Sequence, residues 1–412
     1  MEEIVIHNYN VEANLKRSLP EKIYFWDETL RDGEQTPGVF FTLDEKVELA
    51  KILDEIGIEI INCGIPAISE GEKKAVKAIA NEGLRAKVLG ACRTLKSDID
   101  ACLDADVDEV SPFIACSDVH MKYKLRMSKE EVIKRSVEAI EYSKAHGLRT
   151  TFVTEDTVRA DINFVEKLYN SAIDAHVDRV LFCDTVGVMT PFSMKWWLDE
   201  VKKRIKKVQL GIHVHNDFGM ATANTLTALE CGVEVPNTTL NGIGERAGNC
   251  SFEEVVLSLE FLYNYRTGIK IEKIYELSKL VEEYSGIPIS IGKPIVGYNA
   301  FTHESGIHTD GVIKNTLTYE PINCELINRE RRFVFGKHTG ASAVLERLKN
   351  KGIELEKEKI IEIVGEIKNY TEKKDKSKIR SFIMNYRRWD EMKGLDDEKF
   401  MEIVRNVIDK KM

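Results

Sequence analysis

Nowhere in the sequence do about 18 apolar residues run together, which is what a membrane-crossing helix needs. No segment is therefore expected to span a bilayer, and no membrane partner is expected. The stretch 1–10 holds Glu2, Glu3 and His7 and lacks the basic-then-apolar order of a secretory signal. The eight cysteines (63, 92, 102, 116, 183, 231, 250, 324) contain no CxxC pair and are too sparse for a disulfide scaffold. They read as reduced thiols of a cytoplasmic enzyme. A basic excess is missing too. The formal net charge is −9, whereas a nucleic-acid surface needs a basic stripe, so no nucleic-acid partner is expected. No tandem repeat or low-complexity tract occurs.

What is present is regular alternation. Of the 412 residues, 43% are hydrophobic, enough for a sizeable core. Short β-branched, apolar runs at 23–27, 60–63, 87–91, 109–114, 150–154, 179–183, 208–214 and 237–241 read as strands. Amphipathic, charge-laced segments lie between them. In 42–55 the apolar stripe is Val47, Leu49, Ala50, Ile52 and Leu53, and 128–145, 163–175, 191–206, 221–230 and 252–263 are similar. Strands alternating with helices imply parallel βαβ units, and eight such units are the number that closes a barrel. The alternative for this pattern is an open, doubly wound sheet. The expected organisation is an N-terminal extension (1–22), a (β/α)8 TIM barrel (23–285), a linker and lid segment (286–340) and a helical C-terminal subdomain (341–412). Within the third part, 294–319 is polar, rich in His, Gly and Thr, and without strand or helix periodicity. Long irregular segments of this kind are usually lids or binding loops. The charge clusters at 354–359 and 372–378 read as solvated helix faces.

In such a barrel the chemistry sits at the C-terminal ends of the strands. Strand one ends in DETLRDGEQ, with Asp27, Arg31, Asp32 and Gln35. Strand five runs into Glu155 and Arg159, strand six into Thr185, strand seven into His213 and His215. The turn after strand eight, GERAGN, holds Glu245, Arg246 and Asn249. His213 and His215 are two apart on a strand, so both imidazoles face one way. Beside the carboxylate of Asp32 and the amide oxygen of Asn249, they suit a divalent ion: Zn, Mn, Co or Mg. Otherwise the pair is a surface accident. Arg31 either bridges to Asp32 as a loop salt bridge or holds an oxyanion developing on a carbonyl. Glu155 is either a general base or a group that orients a water or carbonyl. Arg159 either pairs bidentately with a substrate carboxylate or bonds locally.

Taken in order, DETLRDGEQTPG, GIPAISEGE, EDTVRAD, DTVGV, HVHNDFGMATAN, NGIGERAGN and AFTHESGIHTDGV resemble the Claisen-condensing branch of the DRE-TIM metallolyases. The resemblance covers roughly residues 23–340. It implies a barrel followed by a small lid, a divalent metal, acetyl-CoA as donor and a 2-oxo acid as acceptor. It also implies Asp32, His213 and His215 as metal ligands, with Asn249 at or next to the metal. Arg31 would bind the keto oxygen, Thr185 the acceptor carboxylate, with Gln35 and Arg159 among the substrate contacts. Glu155 would help enolise acetyl-CoA, and His308 and Tyr319 would belong to the lid. In this family the lid closes over the neighbouring subunit, so a homodimer with exchanged lids is implied.

Three features narrow the reading. Many isopropylmalate and citramalate synthases continue into a regulatory domain past the point where this sequence stops, so feedback control through such a domain is not expected. RDG stands where the lysine-pathway homocitrate synthases resemble REG. GIPAISEGE with EDTVRADINF and DTVGVMTPF is most similar to short homocitrate synthases, whereas FIACSDVHMKYKLRMS and ESGIHTDGVIKNTLTYEPI are more similar to citramalate and isopropylmalate synthases. Ser111 and Val153 stand where isopropylmalate synthases often carry His and Ser. The expected activity is homocitrate synthase, with 2-oxoglutarate as acceptor. The alternatives are 2-isopropylmalate, citramalate or Re-citrate synthase, then an acyl-CoA lyase running in reverse, then a non-catalytic metal-binding scaffold.

Overall fold

The structure, a computed structural model, describes residues 7–13, 18–387 and 394–409. Glu2 and Glu3 of the N-terminal stretch and the last three residues of the tail lie outside the described residues. Two compact units are present, Met1–Pro288 and Ile289–Met412.

In the first unit eight parallel strands close into a barrel: β1 (Trp26–Asp27), β2 (Ile60–Gly64), β3 (Lys87–Arg93), β4 (Glu109–Ala115), β5 (Arg149–Glu155), β6 (Arg179–Asp184), β7 (Gln209–Val214) and β8 (Val235–Thr238). Each is paired to its successor, and β8 closes on β1 through Trp26↔Asn237 and Asp27↔Thr238. Helices cover the outside, so the strands are buried on both faces and carry apolar runs rather than alternation. The interior is filled by Trp26, Ile60, Leu89, Leu181, Cys183 and Val235. Each large apolar side chain buried there contributes about 1.5–3 kcal/mol.

The helices begin and end where local chemistry dictates. In α1 (Leu43–Ile56) Thr42 and Glu45 form a reciprocal capping box, and Gly57 ends the helix at φ 108°, a left-handed conformation that only glycine adopts cheaply. Ser128 with Glu131 opens α2 (Lys129–Ala145), and Thr190 with Ser193 opens α3 (Pro191–Arg204) in the same way, with Pro191 at its first position. The floor of the barrel holds a buried ion pair. Arg179 Nη1 donates to Glu109 Oε1 at 2.8 Å and Arg179 Nε to Gln209 at 2.9 Å, with the guanidinium over the Trp26 ring.

The first strand is shorter than the sequence pattern suggests, because the amides of 23–25 bond elsewhere. Ile23 donates to the Tyr265 hydroxyl, Tyr24 to the Glu234 carbonyl and Phe25 to the Glu59 carboxylate. The eighth strand ends at Thr238 rather than 241, since Asn241 turns to φ 58° and diverts the chain.

The second unit is mostly helical. A two-residue parallel pair, Thr302–His303 with Arg332–Phe333, accompanies α4 (Gly306–Lys314), α5 (Ala341–Lys349), α6 (Lys357–Lys373), α7 (Ser377–Arg387) and α8 (Asp397–Asp409). The stretch 294–319, expected to be irregular, therefore contains a helix. Its pattern is hidden by Gly306 and Gly311, and only Thr309 and Val312 are buried along it. Gly306 is required by close approach, since a Cβ there would stand 2.8 Å from Gly340 Cα. Among the described residues no helix is long and apolar enough to cross a membrane.

Candidate active site

A cavity of about 300 Å³ opens at the C-terminal ends of the strands. The turn after β1 builds its rim. The Glu28 carbonyl accepts from the amides of Arg31, Asp32 and Gly33 at 2.8–3.1 Å, which wraps RDG into one tight turn and carries both side chains into the mouth. The parity of β7 brings His213 in from the last turn of the strand and His215 from just beyond it. Their Nε2 atoms lie 3.2 and 3.5 Å from the same oxygen, Asp32 Oδ2. Asp32, His213 and His215 are all buried, and one ligand atom from each falls within 4.8 Å of the others.

The electrostatics favour a ligand set. Burial opposes charge on Asp32, but Arg31 and the neighbouring imidazoles of His213 and His215 outweigh it and hold the carboxyl well below its ordinary range. Burial pushes the His215 imidazole down, towards the neutral form that has a lone pair to give. His215 Nδ1 and Asn249 Oδ1 are buried without a hydrogen-bond partner. Asn249 stands beside the triad, donating from Nδ2 to Asp32 Oδ2 at 3.1 Å and to the Ile243 carbonyl at 3.2 Å. One carboxylate and two imidazoles converging in a buried pocket fit a divalent cation.

Arg31 is four-fifths buried. Its Nε donates to Glu28 Oε2 at 2.5 Å, and its Nη1 lies 3.6 Å from Asp32 Oδ1. Burial works against its charge, but Glu28 and Asp32 more than offset this and keep the guanidinium firmly protonated. Gln35, Glu155 and Thr185 also line the cavity, as do Ser111 and Val153. The Thr185 hydroxyl accepts from the Asp156 amide at 2.8 Å. Arg159 is not brought to the cavity. It sits one short turn past β5 and bonds Asp156 with both arms of its fork, at 2.7 and 2.9 Å. Arg246 does likewise with Asp217 but still faces the cavity. His308 and Tyr319 belong to the second unit, where their rings stack at 4.1 Å.

Several lining residues were not singled out from the sequence. Lys124 Nζ holds both oxygens of Glu155, at 2.8 and 2.6 Å, from a one-turn π-helix, Met121–Leu125. Such turns are frequent at functional sites. Glu28, Asn62 and Asn237 form a buried polar network beneath Arg31. The available signal was an amide inside an otherwise apolar strand run, IINCG for Asn62.

The family model described as HMGL-like matches residues 22–281, and that described as homocitrate synthase post-HMGL domain-like matches 295–375. The chain is 47% identical over 365 residues to a probable 2-isopropylmalate synthase of Ignicoccus hospitalis, covering 89% of this chain and 91% of that one. It is 45% identical over 401 residues to the homocitrate synthase AksA of Methanopyrus kandleri, covering 97% and 96%. Among solved structures, the HMG-CoA lyase of Bacillus subtilis superposes with a TM-score of 0.62 at 21% identity, covering 68% of this chain and 98% of that one. That likeness concerns the fold.

Proposed function

The chain belongs to the HMGL-like family, in its Claisen-condensing branch, and from that premise we propose that it joins the acetyl group of acetyl-CoA to the keto carbon of a 2-oxo acid. The observation that carries this reading is the convergence of Arg31 with Asp32, His213 and His215 in one barrel mouth. A divalent ion held by Asp32, His213 and His215, with Asn249 beside it, would supply Lewis-acid polarisation of the acceptor's carbonyl. Arg31 directs its free N–H groups at the keto oxygen, where negative charge develops as the bond forms. Thr185 and Gln35 orient the acceptor carboxylate. Glu155 takes a proton from the thioester methyl. The new bond joins that methyl carbon to the keto carbon, and hydrolysis of the thioester releases CoA.

For the acceptor we propose 2-oxoglutarate, which makes the product homocitrate. The support is similarity along nearly the whole length of the Methanopyrus kandleri homocitrate synthase, together with the match of the post-HMGL region. The second unit, through His308 and Tyr319, acts as the lid over the mouth of a neighbouring copy in a homodimer. The test is release of CoA thiol from acetyl-CoA with a panel of 2-oxo acids and each of Zn, Mn, Mg and Co. Turnover with 2-oxoglutarate is expected. Preference for 2-oxoisovalerate, pyruvate or oxaloacetate reassigns the acceptor, and no release with any of them refutes the synthase reading. Cleavage of an acyl-CoA in place of condensation would make it a lyase.

A further inference from the structure

Glu28 is a buried carboxylate that touches neither the metal triad nor, on the reading above, the substrate. At 1% exposure it lies at the end of β1. Its Oε2 accepts from Arg31 Nε at 2.5 Å, its Oε1 from Asn237 Nδ2 at 2.9 Å, and Asn62 Nδ2 spans both oxygens at 3.0 Å. These bonds tie β1 to β2 and β8. A charge this deep is costly unless every lone pair is used, and here donors from three residues converge on it.

The network has a direction. Asn237 turns its amide nitrogen towards Glu28, whose Oε1 accepts from Nδ2 at 2.9 Å. Its amide oxygen then faces His213 Nδ1, 2.8 Å away. An amide oxygen only accepts, so Nδ1 of His213 carries the ring proton. Nε2 is left with its lone pair, and it is Nε2 that faces Asp32. On the other side, Glu28 engages Arg31 through Nε alone, which leaves the two Nη groups for Asp32 Oδ1, 3.6 Å from Nη1, and for the cavity.

We propose that Glu28 is a positioning residue with two outputs: it orients the Arg31 fork, and through Asn237 it fixes His213 in the tautomer that can bind a metal ion. The second output rests on the reading of Asp32, His213 and His215 as metal ligands. Glu28→Gln removes the charge and presents both a donor and an acceptor, so it no longer dictates the Asn237 amide. Asn237→Leu removes the acceptor for His213 together with one donor to Glu28, whose bonds from Arg31 and Asn62 remain.

The experiment compares these two variants with the wild type in three measurements. Imidazole ¹⁵N shifts of histidine-labelled, metal-free protein report the tautomer. Calorimetric titration of metal-free protein with Mn²⁺ reports affinity. Turnover at saturating Mn²⁺ separates kcat from KM. The wild type is expected to show His213 as Nδ1–H, and both variants a mixture. Mn²⁺ affinity should fall about ten- to a hundredfold in both, the usual cost of losing a ligand's orienting partner. At saturating Mn²⁺ kcat should recover in Asn237→Leu, whereas in Glu28→Gln it should stay about a hundredfold low with little change in KM. A purely structural role would move melting temperature without this split.

An Nε2–H tautomer in the wild type overturns the proposal. So does unchanged Mn²⁺ affinity in both variants, or full recovery of kcat in Glu28→Gln. If Glu28→Gln does not fold, Asn237→Leu and the wild-type tautomer still decide. A wild type that binds Mn²⁺ and has the expected tautomer but condenses no 2-oxo acid defeats the reaction assigned above and leaves this proposal standing.

Discussion

Replacing Arg31 by lysine keeps the charge and removes the geometry. Guanidinium carries five N–H donors in a planar fork, and one of them, Nε, is committed to Glu28 at 2.5 Å. The others remain for Asp32, whose Oδ1 lies 3.6 Å from Nη1, and for the cavity. An ammonium has three donors on a single atom. If it bonds Glu28 it withdraws from the mouth, and if it stays in the mouth Glu28 keeps only the amides of Asn62 and Asn237. The net charge of the cluster is unchanged, so the loss falls on positioned donors. One such donor is worth roughly 10²–10³ in kcat, or about 2.7–4 kcal/mol of transition-state stabilisation. Folding stability should change far less, because the ammonium still neutralises a neighbour. The assay is CoA thiol release with acetyl-CoA, acceptor and metal all saturating, alongside a thermal melt. An Arg31→Lys enzyme that retains kcat within about threefold of the wild type would refute the reasoning and leave Arg31 as a loop salt bridge.

His213→Ala and His215→Ala should each abolish turnover and lower metal content after dialysis, as read by elemental analysis. Normal content in both would remove the triad. Arg179→Met removes the buried partner of the Glu109 carboxylate and leaves it the Thr151 hydroxyl on Oε1 and the half-exposed Arg149, whose Nε lies 3.3 Å from Oε2. Breaking a buried pair in this way should lower unfolding free energy by about 3–5 kcal/mol in a denaturant titration, with kinetic constants unchanged. Burial pushes the Asp27 carboxyl up to about 7 from its ordinary 3.8, despite two bonds from Thr29. Between those values the folded chain keeps a proton that the unfolded chain has released. Stability should therefore fall as pH rises from about 4 to about 7 and then level off, by roughly 4 kcal/mol at most. Asp27→Asn should flatten that slope. Finally, mixing inactive His308→Ala chains with inactive Asp32→Ala chains should restore activity if lids are exchanged between subunits, and mixed dimers that stay inactive would exclude exchange.

The eightfold alternation was legible because each strand lies between helices and is apolar on both faces, which leaves continuous runs in the sequence. The triad was legible for a similar reason: the two-residue parity of a strand ties His213 to His215 without knowledge of anything else. Boundaries were less so. The amides before Trp26 bond a hydroxyl, a carbonyl and a carboxylate from distant parts of the chain, and no local pattern announces that. The Glu28 network escaped for the same cause, since Asn62 and Asn237 acquire meaning only once β2 and β8 flank β1. For Arg159 the sequence left two readings open, a substrate carboxylate or a local bond, and a left-handed Asp156 at φ 60° folds the chain back and offers the local carboxylate.

The seam between β1 and β8 has a thermodynamic consequence. Two strand-register pairs close the barrel there, Trp26↔Asn237 and Asp27↔Thr238, flanked by the Tyr24 and Glu28 amides on the Glu234 and Thr238 carbonyls. The triad straddles this seam, with Asp32 hanging from one side and His213 and His215 from the strand next to the other. Asn249, also on the far side, reaches Asp32 across 217 residues of sequence. Opening the seam would pull the ligand atoms apart, so any cation they hold acts as a clasp on the closed barrel. Amide protons along 26–27 and 235–238 should then exchange with solvent earlier than those of β4 or β5 in metal-free protein, because few contacts guard them. Cation at a hundred times its dissociation constant would raise the cost of that opening by about 2.7 kcal/mol. Catalytic readiness and closure of the fold are, on this arrangement, one equilibrium.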